Sequence, residues 1–245
     1  MRKIIYCMIA ISLTFPVIAQ SKRSTGLYLG GGVNMKRNYR IGNEADGYDK
    51  DNVTSFIPYA YYRSKNAAFE GFFGQYDFVA NKLFSFGPAY QFFGEKYEAN
   101  GVEDRKAVPM PGIFTRILLI NFYFYKDVMG ESDGTVTDIF IALPFTPTSS
   151  WKIIPRIGIQ MYDENYVDHY YGISEKEATN SVFSKYEGKT GSKMYFTLNN
   201  DLQLSKSILA KFAYGFELYD KGVHESPTVY KRLVPTARFI LLFKI

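Results

Sequence analysis

The chain has 245 residues, a formal net charge of +5 and a single cysteine, Cys7. One cysteine builds no disulfide framework, and despite a pI near 9.0 no Lys/Arg cluster forms a nucleic-acid footprint. Beyond the N-terminus the longest apolar run, 117–125, is broken by Asn121 and mean hydropathy is −0.16, which excludes a helical membrane protein but not a membrane barrel, whose strands are half apolar.

Residues 1–19 read as a signal peptide: Met1-Arg2-Lys3 is basic, 4–18 is apolar but too short to span a bilayer, and Val17-Ile18-Ala19 ends in a small residue. Cleavage after Ala19 removes Cys7, Arg2 and Lys3, so the exported domain, 20–245, carries +3 and no cysteine. Its stability must then come from strand pairing and burial. Aromatics are the compositional outlier, with 21 Tyr, 21 Phe and Trp151.

Alternation of apolar and polar residues marks strands along the whole domain. They fall at 26–37, 53–62, 67–78, 82–93, 112–125, 135–145, 151–162, 193–204, 208–218 and 233–245. In the segment from 193, Met194, Phe196, Leu198, Leu202 and Leu204 face one way, with Asn200 the exception, while Lys193, Tyr195, Thr197, Asn199, Asp201 and Gln203 face the other. No linker or repeat divides the chain. The expectation is one all-β domain, an antiparallel up-and-down transmembrane β-barrel of about 10 strands, with 12 as the alternative.

The last strand frames that expectation. Counting back from Ile245, Phe243, Leu241, Phe239, Ala237, Pro235 and Leu233 share one face, and Arg238 and Thr236 lie on the other. A strand so apolar needs partners on both edges, which closure with strand 26–37 supplies. Connections alternate between long (38–52, 163–190, 220–228) and short (63–66, 147–150, 205–207), as outer-membrane barrels alternate outer loops with periplasmic turns. Two connections break the pattern: the gap after 78 is too short, and 94–107, placed on the periplasmic side by the strand count, is too long. A soluble barrel would instead turn the apolar faces inward; large aromatic faces on nearly every strand favour lipid. Pro58, Pro88, Pro155 and Pro235 each remove a ladder donor and are expected at bulges or strand ends. Gly30-Gly31-Gly32 lies within a strand and opens no helix, so it reads as relief of crowding or the fit of a bend.

The stretch Tyr166-Val-Asp-x-Tyr-Tyr-Gly-Ile-Ser174, followed by Glu177 and Ala178, resembles the signature of the MipA/OmpV family (MltA-interacting proteins). Ile57-Pro58-Tyr59, Gly87-Pro88 and Glu225-Ser-Pro227 are similar to other family segments, though the final residue here is Ile245 where a Phe is commoner. The resemblance implies a barrel in the outer membrane of Gram-negative bacteria, contacting outer-membrane lipid. It further implies a scaffolding role that brings a lytic transglycosylase together with a penicillin-binding peptidoglycan synthase; other family members are described as adhesive surface proteins.

Tyr166, Asp168, Tyr170, Tyr171, Gly172, Ser174 and Glu177 are therefore the candidate site residues, their role unassigned. Ser174-x-x-Glu177 has the form of a capping box, predicting a short helix over 175–181 in an outer loop, with Gly172 at its entry and the tyrosines packing it over the barrel mouth. Catalytic chemistry is sparse. His169, Ser174 and Asp168 are close in sequence but no nucleophile elbow surrounds the serine. Asp163, Glu164 and Asp168 are acidic enough for calcium yet read better as a solvated loop, and no cofactor motif is present. The function expected is a non-catalytic scaffold; the alternatives are a narrow pore, whose lumen Lys193, Asp201, Arg156, Lys211, Glu217 and Arg238 would plug, and a surface adhesin working through 163–190.

Overall fold

The computed structural model describes residues 26–48 and 51–245; the signal-peptide reading of 1–19, with Cys7, lies outside them. Fourteen strands form one antiparallel sheet. In chain order they are β1 (Gly26–Arg37), β2 (Asn52–Arg63), β3 (Ala67–Glu70), β4 (Phe73–Tyr76), β5 (Val79–Ala80), β6 (Phe84–Phe93), β7 (Val108–Ile117), β8 (Ile120–Lys126), β9 (Thr135–Ala142), β10 (Phe145–Thr148), β11 (Trp151–Tyr162), β12 (Gly191–Gln203), β13 (Ile208–Tyr219) and β14 (Leu233–Lys244). Three helices, α1 (Glu164–Tyr171), α2 (Glu175–Asn180) and α3 (Lys221–His224), lie between them.

The sheet closes. β14 pairs with β13 on one edge and with β1 on the other, Tyr28 opposite Lys244 and Lys36 opposite Thr236. The closed path holds twelve strands, with β5 and β10 lying outside it as short extensions that pair with β6 and β11. Twelve, the higher of the two expected counts, arises because two stretches that read as single strands are hairpins. Residues 67–78 fold back at Gly71-Phe72, with Glu70 opposite Phe73. Residues 112–125 fold back at Leu118-Leu119, with Ile117 opposite Ile120.

Those two hairpins also correct the placement of 94–107. With them counted, the connections at 38–51, 71–72, 94–107, 127–134, 163–190 and 220–232 share one end of the barrel, and those at 64–66, 81–83, 118–119, 149–150 and 204–207 share the other. The segment 94–107 is thus an outer loop, and the short gap after 78 is a periplasmic turn as the alternation requires.

The faces divide as the closing strand suggests. Phe239 and Phe243 are exposed on the outer wall while Ile240 and Leu242 are fully buried in the lumen. Phe56, Ile113, Phe122, Phe124, Ile157, Met194 and Phe216 continue the apolar exterior. Asn200, the polar exception on that exterior, accepts at Oδ1 from the Trp151 indole at 3.2 Å, which satisfies it where lipid would not. The prolines meet the expectation on one edge of each strand. Toward β1, β7, β12 and β13 the registers run on unbroken through Pro58, Pro88, Pro155 and Pro235, which sit opposite Gly31, Ile113, Leu198 and Phe216. On the other edge Pro58, Pro155 and Pro235 lie beyond the last paired residues of β3, β9 and β1. At Pro88 the partner on that edge shifts register by one between Gln75–Ala89 and Val79–Phe86. A Cβ on Gly30 or Gly32 would lie 1.9 or 2.0 Å from the carbonyl oxygens of Leu241 and Phe239, so the glycines do relieve crowding, at the seam where the barrel closes.

The lumen is filled by side chains at its periplasmic end. Tyr28, Tyr59, Tyr61, Leu209, Ile240 and Leu242 form an apolar cluster there. Beside it Lys211 bridges Glu70 at 2.8 Å and Asp201 at 2.9 Å. Higher up Lys193 pairs with Glu217, and Arg156 stacks on the Phe140 ring.

Candidate functional site

The outer end of the lumen is closed by the segment between β11 and β12. Asp163 starts α1 by accepting at its side chain from the Tyr166 amide, and it also accepts from the Thr135 hydroxyl. Asp163 is therefore occupied as a helix cap. Among the described residues no three His, Cys, Asp or Glu side chains gather as a metal site. Ser174 starts α2 with the capping box read from the sequence: its hydroxyl accepts from the Glu177 amide, and Glu177 Oε2 accepts from the Ser174 amide.

A helix end leaves its last carbonyls without intrahelical partners, and at α1 each is met by a different outer loop. Arg105, from loop 94–107, donates through Nε to the His169 carbonyl. Arg40, from loop 38–51, donates to the Tyr170 carbonyl at 3.0 Å. Ser226, from loop 220–232, donates to the Tyr171 carbonyl at 2.6 Å. Two guanidinium groups at the negative end of a helix are also favoured by its dipole.

The tyrosine hydroxyls repeat the pattern. Tyr166 accepts from the Gly94 amide at 3.1 Å, Tyr170 donates to the Lys106 carbonyl at 2.8 Å, and Tyr171 meets the Tyr39 hydroxyl at 3.1 Å. All three rings are buried, with Tyr166 stacked on Tyr162 and Tyr39 on Tyr219. Burial pushes the Tyr171 hydroxyl up to about 12, so it remains a donor. Below it Glu95 reaches in from loop 94–107 and accepts from Tyr39 at 2.6 Å and Tyr48 at 3.1 Å, and it also pairs with Lys36. Burial would raise that carboxyl, but Lys36 and Arg40 hold it below its ordinary range.

Glu177 is the most heavily bonded of the candidate residues. Its Oε1 accepts from Arg105 at 2.7 Å and from the Glu103 amide at 3.0 Å, while Oε2 holds the Ser174 amide and hydroxyl. Burial raises its pKa; the Ser174 bonds, then Arg105 and the Glu103 amide, outweigh that and pull it down to about 2. Asp168 accepts at Oδ1 from the Gly188 amide at 2.7 Å and so ties down the return to β12. Gly172 sits in extended backbone, φ −67; it is required because a Cβ would lie 2.2 Å from the Asp168 carbonyl oxygen.

Beneath this plug lies a chamber of about 340 Å³, roofed by Tyr39, Tyr162, Tyr166 and Tyr171 and walled by Asn34, Gln160 and Arg238. His169, Ser174 and Asp168 do not assemble as a triad, since Ser174 is held by Glu177 and Asp168 by Gly188. Instead His169 lies edge-on to Tyr170 with Nε2 3.8 Å from Glu131.

The family model for the MltA-interacting protein MipA matches residues 29–244. The chain belongs to that family. Among curated proteins, the putative outer membrane protein YiaT of Escherichia coli (strain K12) is 25% identical over 103 residues, which are 42% of this chain and 42% of that protein. The MltA-interacting protein of the same strain is 27% identical over 143 residues, 55% of this chain and 56% of that protein. The chain thus spans only about half the length of the curated relatives it matches, or less. Among solved structures, the NanC porin is 11% identical, covers 90% of this chain and 100% of its own, and superposes with a TM-score of 0.39. The closed, apolar-walled barrel is an outer-membrane protein.

In this MipA-family barrel the seven candidate residues fall in one continuous plug. Four partners were not singled out by sequence reasoning: Arg40, Arg105, Tyr39 and Glu95. Arg40 and Tyr39 sit in Asn38-Tyr39-Arg40 and Glu95 directly follows Gly94, so each reads alone as an ordinary loop residue. α1 was also missed, although Asp163 followed by Glu164 is a helix-start signature.

Proposed function

We propose that this MipA-family barrel is a non-catalytic scaffold that holds peptidoglycan-remodelling enzymes at the outer membrane: a lytic transglycosylase and, with it, a penicillin-binding synthase. The observation that carries the reading is closure of the barrel at both ends by its own side chains, the Tyr28–Leu242 cluster below and the tyrosine plug above. A barrel filled in this way acts through its surfaces. The name of the E. coli relative, MltA-interacting protein, supports a partner of that kind. With 94–107 on the outer side, the periplasmic contact surface among the described residues is reduced to the short turns, where Lys65 and Lys206 project among serines and asparagine. Photocrosslinkers placed at 65 and 206 in intact cells are expected to capture a lytic transglycosylase. Absence of capture from both positions, with the barrel correctly inserted, overturns the scaffold reading.

One observation favours a surface-adhesin reading. A hollow of about 350 Å³ on the outer side of the plug is lined by Asp133, Glu164, Asp168, His169 and Glu187. An acidic hollow facing outward suits a cationic group on a host or neighbouring surface. Deleting 163–190 would also unroof the lumen, so the informative variant is Glu164→Gln with Glu187→Gln, which lowers the charge and leaves α1 in place. Binding to a surface that survives this double variant unchanged overturns the adhesin reading.

A further inference from the structure

The turn between β7 and β8 is built from the wrong residues for water. A two-residue hairpin facing solvent ordinarily uses Asn-Gly or Asp-Gly, because the first position needs a left-handed backbone. Here it is Leu118-Leu119, flanked by Ile117 and Ile120, and Leu118 takes a φ of 56°. All four side chains are at least half exposed: 56%, 60%, 50% and 52% from Ile117 to Ile120. The Leu118 amide donates to the Leu83 carbonyl, and the Leu119 carbonyl accepts from the Ala142 amide. Leu83 and Leu143 are exposed as well, so leucines from three adjacent connections form one rim, bordered by the exposed Asn81 and Lys82 of the 81–83 connection.

The other short turns of the same end are polar. They read Ser64-Lys65-Asn66, Ser149-Ser150 and Ser205-Lys206-Ser207. The strand that rises from the Leu118-Leu119 turn is short: β8 has 7 residues, whereas β11, β13, β14, β1 and β2 each have 12. The polar 64–66 turn also leads into a short strand, β3, of 4 residues. At about 3.3 Å per residue and a tilt near 40°, β8 rises about 18 Å, short of the roughly 25 Å apolar band of an outer-membrane barrel. The twelve-residue strands rise about 30 Å by the same arithmetic. The lipid-facing row on β8, Ile120, Phe122 and Phe124, continues past its far end into exposed Val128 and Met129. Exposed apolar residues thus continue in this sector from Leu119 to Met129, with Lys126 and Asp127 between Phe124 and Val128.

We propose that the leucine rim formed by Leu83, Leu118, Leu119 and Leu143 is immersed in the acyl chains of the periplasmic leaflet. The barrel wall is low in this sector, and the polar turns at 64–66 and 204–207 stand in water. The occupant is phospholipid acyl chain, continuous with the lipid that covers β7 and β8. A bilayer meeting a low wall thins there, so the periplasmic leaflet is drawn in beside β6–β9 and not beside β12–β14.

Cys7 is the sequence's one cysteine, so single-cysteine variants in a Cys7→Ser background test this cleanly. Leu119→Cys and Ser205→Cys, each labelled with an environment-sensitive fluorophore, are folded into phosphatidylcholine vesicles, with a heat-dependent gel shift confirming each barrel. The label at 119 is expected to emit as in hydrocarbon and to be quenched at least threefold more strongly by acyl-brominated lipid than the label at 205. Equal, water-like emission from both positions overturns the proposal, and so does rapid reaction of the 119 thiol with a membrane-impermeant maleimide in vesicles lacking any other protein. Should Leu119→Cys not fold, Leu83→Cys in the adjoining turn gives the same readings.

Discussion

Arg105 and Glu177 meet at 2.7 Å, both side chains less than a tenth exposed, and between them they lock two helices. The guanidinium reaches the His169 carbonyl at the end of α1, while the carboxylate caps the start of α2. Arg105→Met removes both links and leaves Glu177 with its backbone partners. A hydrogen bond to a charged group contributes about 1.5–3 kcal/mol, and the loss falls on the plug and not on the barrel ladders. Protease should cut within 163–190 at least tenfold faster in the variant, with the heat-dependent gel shift unchanged. Equal cutting rates would show that the pair contributes nothing to holding the loop.

The same carboxylate makes the plug sensitive to acid. Glu177 is drawn down to about 2 when folded, against about 4.3 for an unperturbed glutamate. A depressed folded pKa stabilises above the unfolded value and loses that contribution as pH falls through the folded one. Plug stability should therefore be level at neutral pH, decline below about 4.3 and be exhausted near 2. Glu95, also held low, adds to the same acid limb. Hydrogen exchange at the α2 amides, followed from pH 7 to pH 2.5, should accelerate across this window beyond the intrinsic pH effect. In Glu177→Gln that excess acceleration should shrink.

How much of this was legible in the sequence turns on two hairpins and one helix. Period-two alternation located the strands, and the Ser174-x-x-Glu177 box located α2. The turn at Leu118-Leu119 was invisible as composition because a lipid-bathed turn needs no polar residue. Its trace is a change of phase: Ile113 and Ile117 face out on odd numbers, whereas Ile120, Phe122 and Phe124 face out on even ones. Glu70 and Phe73, both directed inward across the Gly71-Phe72 turn, show the same jump. A phase jump inside an unbroken apolar run is the footprint of a two-residue hairpin, and counting it gives twelve strands. The arginine and tyrosine partners of the plug were out of reach for another reason. Arg40, Arg105 and Tyr39 lie more than sixty residues from the α1 carbonyls and hydroxyl they serve. Glu95 reaches the plug through Tyr39, 56 residues away, and nothing local marks any of them.

Gly94 gives a sharper test of the plug than any of its tyrosines. It has φ +92, and a Cβ there would lie 2.4 Å from the Tyr170 ring. Gly94→Ala combines a left-handed alanine, about 1–2 kcal/mol, with overpacking worth about 1–3 kcal/mol. Tyr170→Phe loses only the bond to Lys106, about 1 kcal/mol. Thermal unfolding in detergent should rank wild type, then Tyr170→Phe, then Gly94→Ala in falling stability. The reverse order would mean that the ring moves aside freely.

Closure at both ends predicts that the wild-type barrel shows no steady conductance in planar bilayers. Porin-sized steps from the folded protein would restore the narrow-pore alternative. The same measurement on Arg105→Met asks whether the outer plug alone holds the lumen shut; the Tyr28–Leu242 cluster below it predicts that this variant too stays silent.

The lower closure has its own weak point at Lys211, whose ammonium holds Glu70 and Asp201 and lies 4.9 Å from the centre of the Tyr61 ring. Lys211→Met keeps the side-chain volume and leaves two carboxylates facing each other without a cation. Removing one partner of a buried ion pair costs about 3–5 kcal/mol, and because Glu70 is a third exposed the lower end of that range applies. The urea midpoint in micelles should fall accordingly. Adding Glu70→Gln and Asp201→Asn removes the repulsion and should recover most of the loss, since amides of the same shape can bond to each other and to Tyr59. A triple variant no more stable than Lys211→Met would mean that the stem of Lys211, packed on Tyr61, matters more than its charge.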